Sequence, residues 1–420
     1  MLVVKRKEWK RMKRILVVST LGYQRLETIL KNLERMLKAK EECEFYIVNE
    51  NYGSSKPNDI KFKNYIFTSD STNDEEMNKI YNGVKKWPKF DFSLQTDEYA
   101  VTILALINEK LNLPGLTLDD MNKFRDKVSM KQKLGNDINK PILYTLEDVK
   151  NNKVEYPVII KPRTFAASKG VKLITDKECL LNEINDKCVD YSRVSIDTMD
   201  DYEIEQYING NVYHIDGIVF EEKIIFCVAS QYIGSCFEYA QGKLLGSIKA
   251  TKIQQRQARA FVEKIHRDLV IPDGVFHLEA FYYKGEFVFL EIGIRPGGAE
   301  IVPTIKAATG VDLAEEHIKC QLGIKPKLGK NTESIFGWLN FPREFRFEKD
   351  KDKYVKEVIL PKYTSQYLYS SSIPEIGDRA TEDFVHYDSA LGSFIFVGED
   401  RNAIKNEMKV YAEEYKVIIE

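Results

Sequence analysis

The chain has no long apolar run. Its first hydrophobic stretch, Ile15-Leu16-Val17-Val18, is too short for a signal-peptide core, and nothing later approaches the roughly 20 residues that span a bilayer. An excess of one charge is also missing. Lys+Arg number 62 and Asp+Glu 64, a net charge of -2, so no overall field draws the chain to nucleic acid or to a membrane. One local exception, where Lys5, Arg6, Lys7, Lys10, Arg11, Lys13 and Arg14 crowd around Trp9, reads as a solvated leader rather than a nucleic-acid arm. Cysteine is scarce. Cys43, Cys179, Cys188, Cys227, Cys236 and Cys320 form no CxxC pair and no dense framework, so reduced thiols in a cytoplasmic protein are expected. Internal repeats and low-complexity tracts are absent, and no GxGxxG follows the first strand, which argues against a dinucleotide site there.

What is present fits a globular protein of two or three domains: 420 residues, 43% hydrophobic, 11% aromatic. The first third alternates strand and helix signals. Strands are expected at 14–19, 44–48 and 65–68, and Leu26, Ile29, Leu30, Leu33 and Leu37 give 24–40 a helical period, an open α/β pattern. One helix is expected over 118–134, capped by Asp119 or Asp120 and stopped by Gly135. Strands then dominate, at 157–162, 171–175, 201–207, 212–220 and 223–230, with a hairpin over 275–294. Helices are expected at 252–269 and 312–322. Residues 324–420, with a charged stretch at 344–356, read as a third, smaller α/β unit.

The most informative stretch is VFHLEAFYYKGEFVFLEIGIRPGG, residues 275–298. Pairing about a three-residue turn centred on Gly285 sets Tyr283 opposite Phe287, Phe281 opposite Phe289 and Glu279 opposite Glu291. The other face holds Phe276, Leu278, Ala280, Val288, Leu290, Ile292 and Ile294, and is core. Two carboxylates side by side repel unless they share a proton, are solvated or hold a cation. Oxygen ligands of this kind suit Mg²⁺, and Arg295 beside them suits a transferring phosphoryl group. Phe281 and Phe289, expected to flank the pair, favour the metal over two merely solvated glutamates.

Upstream, a buried strand ends in Lys161, and the small-residue turn 164–171, with Ser168, Lys169 and Gly170, offers backbone N–H groups to phosphate oxygens. Taken alone, Lys161 reads as a snorkelling lysine, Lys127 as a solvated helix lysine and His214 as a structural histidine.

In order, these pieces resemble the ATP-grasp superfamily in its carboxylate–amine ligase branch, over about 123–323. They are Arg125-Asp126-Lys127; Lys161 with the Ser168-Lys169-Gly170-Val171 turn; Glu205-Gln206-Tyr207-Ile208 followed by Gly210; and Glu279 twelve positions before Glu291, with Arg295 four further on. The resemblance implies a mixed α/β and α+β chain in three parts. These are an open α/β domain at 1–120, an ATP-grasp domain at 121–325 with a small lid near 150–207, and a mixed domain at 326–420.

It implies ATP on Lys127 and Lys161 beneath the loop 164–170, adenine at Glu205, Gln206, Tyr207 and Ile208, Mg²⁺ or Mn²⁺ on Glu279 and Glu291, and Arg295 and Lys161 in catalysis. Val212 stands where relatives carry a ribose-binding glutamate, so His214 or Asp216 is expected to substitute. Gly293 stands where many carry a further asparagine ligand, and Phe165 and Ala167 stand where loop glycines are common. The implied chemistry is ADP-forming activation of a carboxylate, such as an amino acid's, and transfer to an amine. Alternatives are transfer to the thiol of an acyl carrier protein docking near Lys351, Lys353 and Lys356, a non-catalytic ATP-binding protein, or a carboxylating enzyme, against which stands the lack of a biotinylation motif. The resemblance leans toward a homodimer.

Overall fold

The computed structural model describes residues 12–38, 43–51, 56–166, 168–185, 201–329, 333–345, 352–382 and 390–420. Of the basic leader, Lys5 to Arg11 lie outside them, as do Cys188, Ala167 and Lys351, while Lys13 and Arg14 open the first strand. Among the described residues no helix is long and apolar enough to cross a membrane.

The N-terminal part is a four-stranded parallel sheet, in spatial order Asn64–Thr68, Cys43–Glu50, Lys13–Ser19, Phe92–Gln95. Its strands read as continuous apolar runs because both faces are covered: Ile15 and Val17 pack with Leu26, Leu30 and Leu33, while Leu16 and Val18 pack with Ile80, Ile103 and Ile107. The strand order reverses between Lys13–Ser19 and Phe92–Gln95. In an open parallel sheet, ligands bind beyond the carboxyl ends of the strands at such a switch point. Asp97 ties the two ends together there, accepting from the Thr20 N–H at 2.8 Å and from Thr20 Oγ1 at 2.6 Å.

The expected helix over 118–134 is two helices, Leu118–Arg125 and Lys127–Lys133. Thr117, not Asp119 or Asp120, caps the first, in a reciprocal box with Asp120. Asp126 ends that helix in extended backbone and caps the second, accepting from the Val128 and Ser129 N–H groups. The helix Lys252–Leu269 has the predicted bounds.

An eight-stranded antiparallel sheet forms the centre. Helix Lys252–Leu269 packs on one face, over a core containing Phe276, Leu278, Phe287 and Phe289. Helices Ile301–Thr309 and Leu313–Gln321 cover the other. Three strands of the C-terminal part, Ile335–Pro342, Ala390–Gly398 and Leu368–Ser372, extend this same sheet rather than building a sheet of their own. A separate four-stranded antiparallel sheet, ordered Leu143–Tyr144, Tyr202–Gln206, Val158–Pro162, Lys172–Ile174, lies between.

The key hairpin, Gly274–Tyr283 with Glu286–Gly293, differs from expectation in register. Its turn has two residues, Lys284 and Gly285, both with positive φ (50° and 88°), the twist-matched geometry that glycine makes accessible. Tyr282 therefore faces Phe287 and Ala280 faces Phe289. A bulge at Leu290 then restores the pairing of Glu279 with Glu291. The carboxylate pair stands as read, but the predicted flanking of it by Phe281 and Phe289 does not. The bulge puts Phe289 into the core, fully buried, with Ala280 and Leu278. Phe289→Ala is therefore expected to cost about 3–5 kcal/mol in urea unfolding, and Phe281→Ala clearly less. Equal costs would contradict this register.

Candidate functional site

A cavity of about 510 Å³ opens where the three parts meet. The N-terminal sheet contributes Thr20, Leu21, Asn51, Thr96, Asp97 and Glu98, all from the carboxyl ends of its strands. The helix junction contributes Arg125 and Lys127, the loop after Lys161 contributes Phe165, Ala166, Ser168 and Lys169, and the hairpin contributes His277, Glu279, Glu291 and Arg295.

The junction Arg125-Asp126-Lys127 owes its role to the helix break. Each residue grips the next one of the loop: Asp126 pairs with the Arg163 guanidinium (Nε to Oδ1, 3.0 Å), Arg125 donates to the Thr164 carbonyl at 2.5 Å, and Lys127 Nζ donates to the Phe165 carbonyl at 2.5 Å. Lys127 Nζ also lies 3.1 Å from Glu291 Oε2 and is buried, so it is not the solvated helix lysine that its local sequence suggests. Ser168 and Gly170 take positive φ, 55° and 71°, in the loop beyond.

Glu279 and Glu291 face the cavity as an adjacent pair. Their repulsion is relieved by the chain itself, which the sequence argument did not foresee. Lys127 approaches Glu291, and His277 Nε2 stands 3.5 Å from Glu279 Oε1. Burial would depress the His277 imidazole, but the Asp216 carboxylate overrides it and holds the pKa near 9. Burial raises the Glu279 carboxyl and its bond to His277 lowers it further, for a net shift downward. Glu279 Oε1 also accepts from the Tyr232 hydroxyl at 2.9 Å. The two remaining oxygens toward the cavity are hard donors of the kind that hold Mg²⁺ or Mn²⁺.

An anion from the N-terminal part organises the other side, through pairings that the motifs do not show. The Glu98 carboxylate lies between the Arg125 and Arg295 guanidiniums, ion-paired to both. Burial pushes its pKa up, but the two arginines prevail and hold it at about 2. Gly293 makes room for it: a Cβ there would come within 2.9 Å of Glu98 Oε2. The space that a side chain would take in this position belongs to Glu98, delivered by an element 195 residues away in the chain and therefore invisible to local patterns. The sign of the linkage is clear. Stability from Glu98 is fully present above its unfolded value of 4.5 and is lost as pH falls toward about 2. Glu98→Gln is expected to flatten the pH dependence of the urea midpoint in that window, and an unchanged slope would remove this assignment.

Other predicted residues lie outside the cavity. Lys161 is buried, and its ammonium sits 2.5 Å from Glu205 and 3.3 Å from Glu203. Lys131 approaches the same two glutamates at 2.9 and 3.0 Å. Burial disfavours the charge on Lys161, but Glu205 and Glu203 hold its pKa above the usual lysine range. This neutral quartet joins the strand Val158–Pro162, the strand Tyr202–Gln206 and the helix Lys127–Lys133. Gln206, Tyr207 and Ile208 follow at the end of their strand; Tyr207 is 38% exposed and Ile208 is buried. Gly170 is likewise not in the cavity wall. His214 is 1% exposed, with Nδ1 2.6 Å from Asp216 and Nε2 2.8 Å from Ser247 Oγ. Both its nitrogens and Asp216 are engaged, so neither is offered to a ribose. The C-terminal lysines are paired too: Lys353 with Glu344 and Lys356 with Glu420, each at 2.5 Å. Of the three lysines expected to meet an acidic carrier, the two described ones are thus each opposed by a carboxylate.

Comparison with known proteins places this geometry. Residues 154–303 match the family model of the ATP-grasp domain. Among solved structures, the chain is similar to an L-amino acid ligase from Bacillus licheniformis, with 18% identity, 97% of this chain and 99% of that one covered, and a TM-score of 0.70. It is similar to a phosphoribosylglycinamide synthetase from Anaerococcus prevotii at 16% identity, with 97% and 99% covered and a TM-score of 0.62. A third is the biotin carboxylase domain of a Hydrogenobacter thermophilus 2-oxoglutarate carboxylase, a dimer in complex with MgADP and bicarbonate, at 15% identity, 97% and 91% covered, TM-score 0.67. The chain has the ATP-grasp fold, and the match over residues 154–303 is to the same superfamily that its motifs resemble.

Proposed function

We propose that this ATP-grasp chain is an ADP-forming ligase that activates a carboxylate, an amino acid's in our reading, and transfers the acyl group to an amine. The observation that carries this is the convergence of Glu279, Glu291, Lys127 and Arg295 on one cavity, lined also by Phe165, Ala166, Ser168 and Lys169 and by the strand ends of the N-terminal sheet. A protein that only bound a nucleotide would have no use for all four.

In this reading a substrate carboxylate oxygen attacks the γ-phosphorus of ATP. The new O–P bond forms as the bridging bond to the β-phosphate breaks, giving an acyl phosphate and ADP. An amine then attacks the acyl carbon, phosphate leaves with the C–O bond electrons, and the amine gives up its proton. Glu279 and Glu291 would hold Mg²⁺, which neutralises phosphate charge. Lys127, already at the base of the loop, sets a positive charge beside them. Arg295, steadied by Glu98 and by its own bond to the Pro296 carbonyl at 2.8 Å, meets the charge that develops on the transferring group. The loop would close over the phosphates and exclude water.

The test is nucleotide product analysis with Mg-ATP against a panel of amino acids and small acids, alone and with amine or thiol acceptors. ADP and phosphate with particular pairs are expected. AMP and pyrophosphate, or ADP formation regardless of the acid, would overturn the reading. Turnover only with a carrier thiol would move the acceptor, and the paired C-terminal lysines argue against that.

A further inference from the structure

Behind Glu279 runs a polar chain that reaches the cavity wall at His277 and continues into the buried core at Asp216 and His214. Asp216 is fully buried and accepts at both oxygens: Oδ2 is 2.6 Å from His214 Nδ1, and Oδ1 is 2.8 Å from His277 Nδ1. Beyond His214, Nε2 meets Ser247 Oγ at 2.8 Å; beyond His277, Nε2 points at Glu279 Oε1 at 3.5 Å. The strands explain the alignment. His214 and Asp216 lie two apart on Asn211–Phe220, and His277 and Glu279 two apart on its neighbour Gly274–Tyr283, with Asp216 directly opposite His277 and His214 opposite Glu279.

Two imidazoles and a carboxylate this close are also a conceivable metal site. The partners decide against it. Asp216 can only accept, so both Nδ1 atoms carry protons toward it, and the outer nitrogens already face Ser247 and Glu279. A cation held by both Nδ1 atoms and Asp216 would displace both hydrogen bonds to that carboxylate, while the outer nitrogens, turned toward Ser247 and Glu279, point away from any common centre with it. The hydrogen-bonded chain therefore has a different use. Its end, the Tyr232 hydroxyl at 2.9 Å and Cys236 Sγ at 3.9 Å all converge on one oxygen of Glu279, Oε1.

Resting on the proposed ligase reading, we infer that His277, held by Asp216, is a positioning residue: with Tyr232 it ties down Glu279 Oε1 and presents Oε2 alone to the divalent cation. Groups that orient a ligand in this way commonly carry about 10- to 100-fold in metal affinity when removed.

The test is Mn²⁺ binding to the full chain with ADP, read by electron paramagnetic resonance, alongside ADP affinity without metal and thermal unfolding. His277→Leu and Tyr232→Phe are expected to weaken Mn²⁺ about tenfold and severalfold respectively, with metal-free ADP affinity unchanged. His277→Gln, which keeps a donor near Nε2, is expected to recover most of the loss. Tyr232→Phe removes one oxygen only, and so stays informative if the histidine variants fail to fold. Folded variants with wild-type Mn²⁺ affinity would overturn the inference. So would a stoichiometric metal in the nucleotide-free protein that His214→Ala removes. Failure of the wild type to bind Mn²⁺ with ADP would instead bring down the ligase reading, and this inference with it.

Discussion

Glu279→Gln and Glu291→Gln are each expected to lower Mg²⁺-dependent ADP formation by about 10³-fold or more, with the urea midpoint close to wild type. The two glutamates stand on the cavity face of the hairpin, and the face that packs against helix Lys252–Leu269 is separate and apolar. Glutamine keeps the shape, and its amide oxygen can still accept from Tyr232 at position 279 and from Lys127 at position 291, so each partner keeps a hydrogen bond. What it loses is the formal charge on which cation binding depends. Raising Mg²⁺ tenfold is expected to restore only part of the rate. Near-normal turnover in either variant would sink the metal assignment. Loss of turnover together with loss of folding would make the pair structural, with Lys127 and His277 as its real partners.

Arg295→Ala is expected to lower kcat by about 10²–10³-fold while changing KM for ATP by no more than about threefold. Arg295 does not stand free in the cavity. Glu98 and the Pro296 carbonyl fix its guanidinium before any substrate arrives, and pre-set charge costs no reorganisation as the reaction proceeds. Arg295→Lys is expected to recover little, because an ammonium is a point donor and cannot reach both partners from one position. Glu98→Gln is expected to act in the same direction but more weakly, since it loosens the arginine without removing it. A rise in KM for ATP at unchanged kcat would instead make Arg295 a ground-state binding group.

The residue pattern carried a great deal of this. Alternation along 275–294, with a turn at Gly285, put Glu279 against Glu291, although the pairing holds only because a two-residue turn and the bulge at Leu290 offset each other. The periods of the first third gave an open α/β pattern, and the ordered motifs from Arg125 to Arg295 gave the fold. These are short-range properties: side-chain period, turn chemistry and capping depend on neighbours within a few residues.

Where the reading failed, the deciding partner was distant or a single backbone irregularity intervened. The bulge at Leu290 moved Phe289 from beside the carboxylates into the core, and strict alternation cannot anticipate one extra residue. The break at Asp126 turned one expected helix into two, because a side chain able to cap can also interrupt. Lys161 and Glu205 were legible as motif positions, but Lys131 and Glu203, which complete their buried quartet, were not.

The sequence alone determined most of the elements, the apolar face of the first hairpin strand and the presence of two carboxylates on the hairpin, since those follow from local geometry. Only the tertiary structure decided that three strands of the C-terminal part extend the central sheet, that His214 is sealed in a hydrogen-bonded chain, and that Glu98 fills the space beside Gly293 between two arginines. Each of those depends on charges and strands brought together from far along the chain, where burial makes an ion pair obligatory and sequence spacing says nothing about who supplies it.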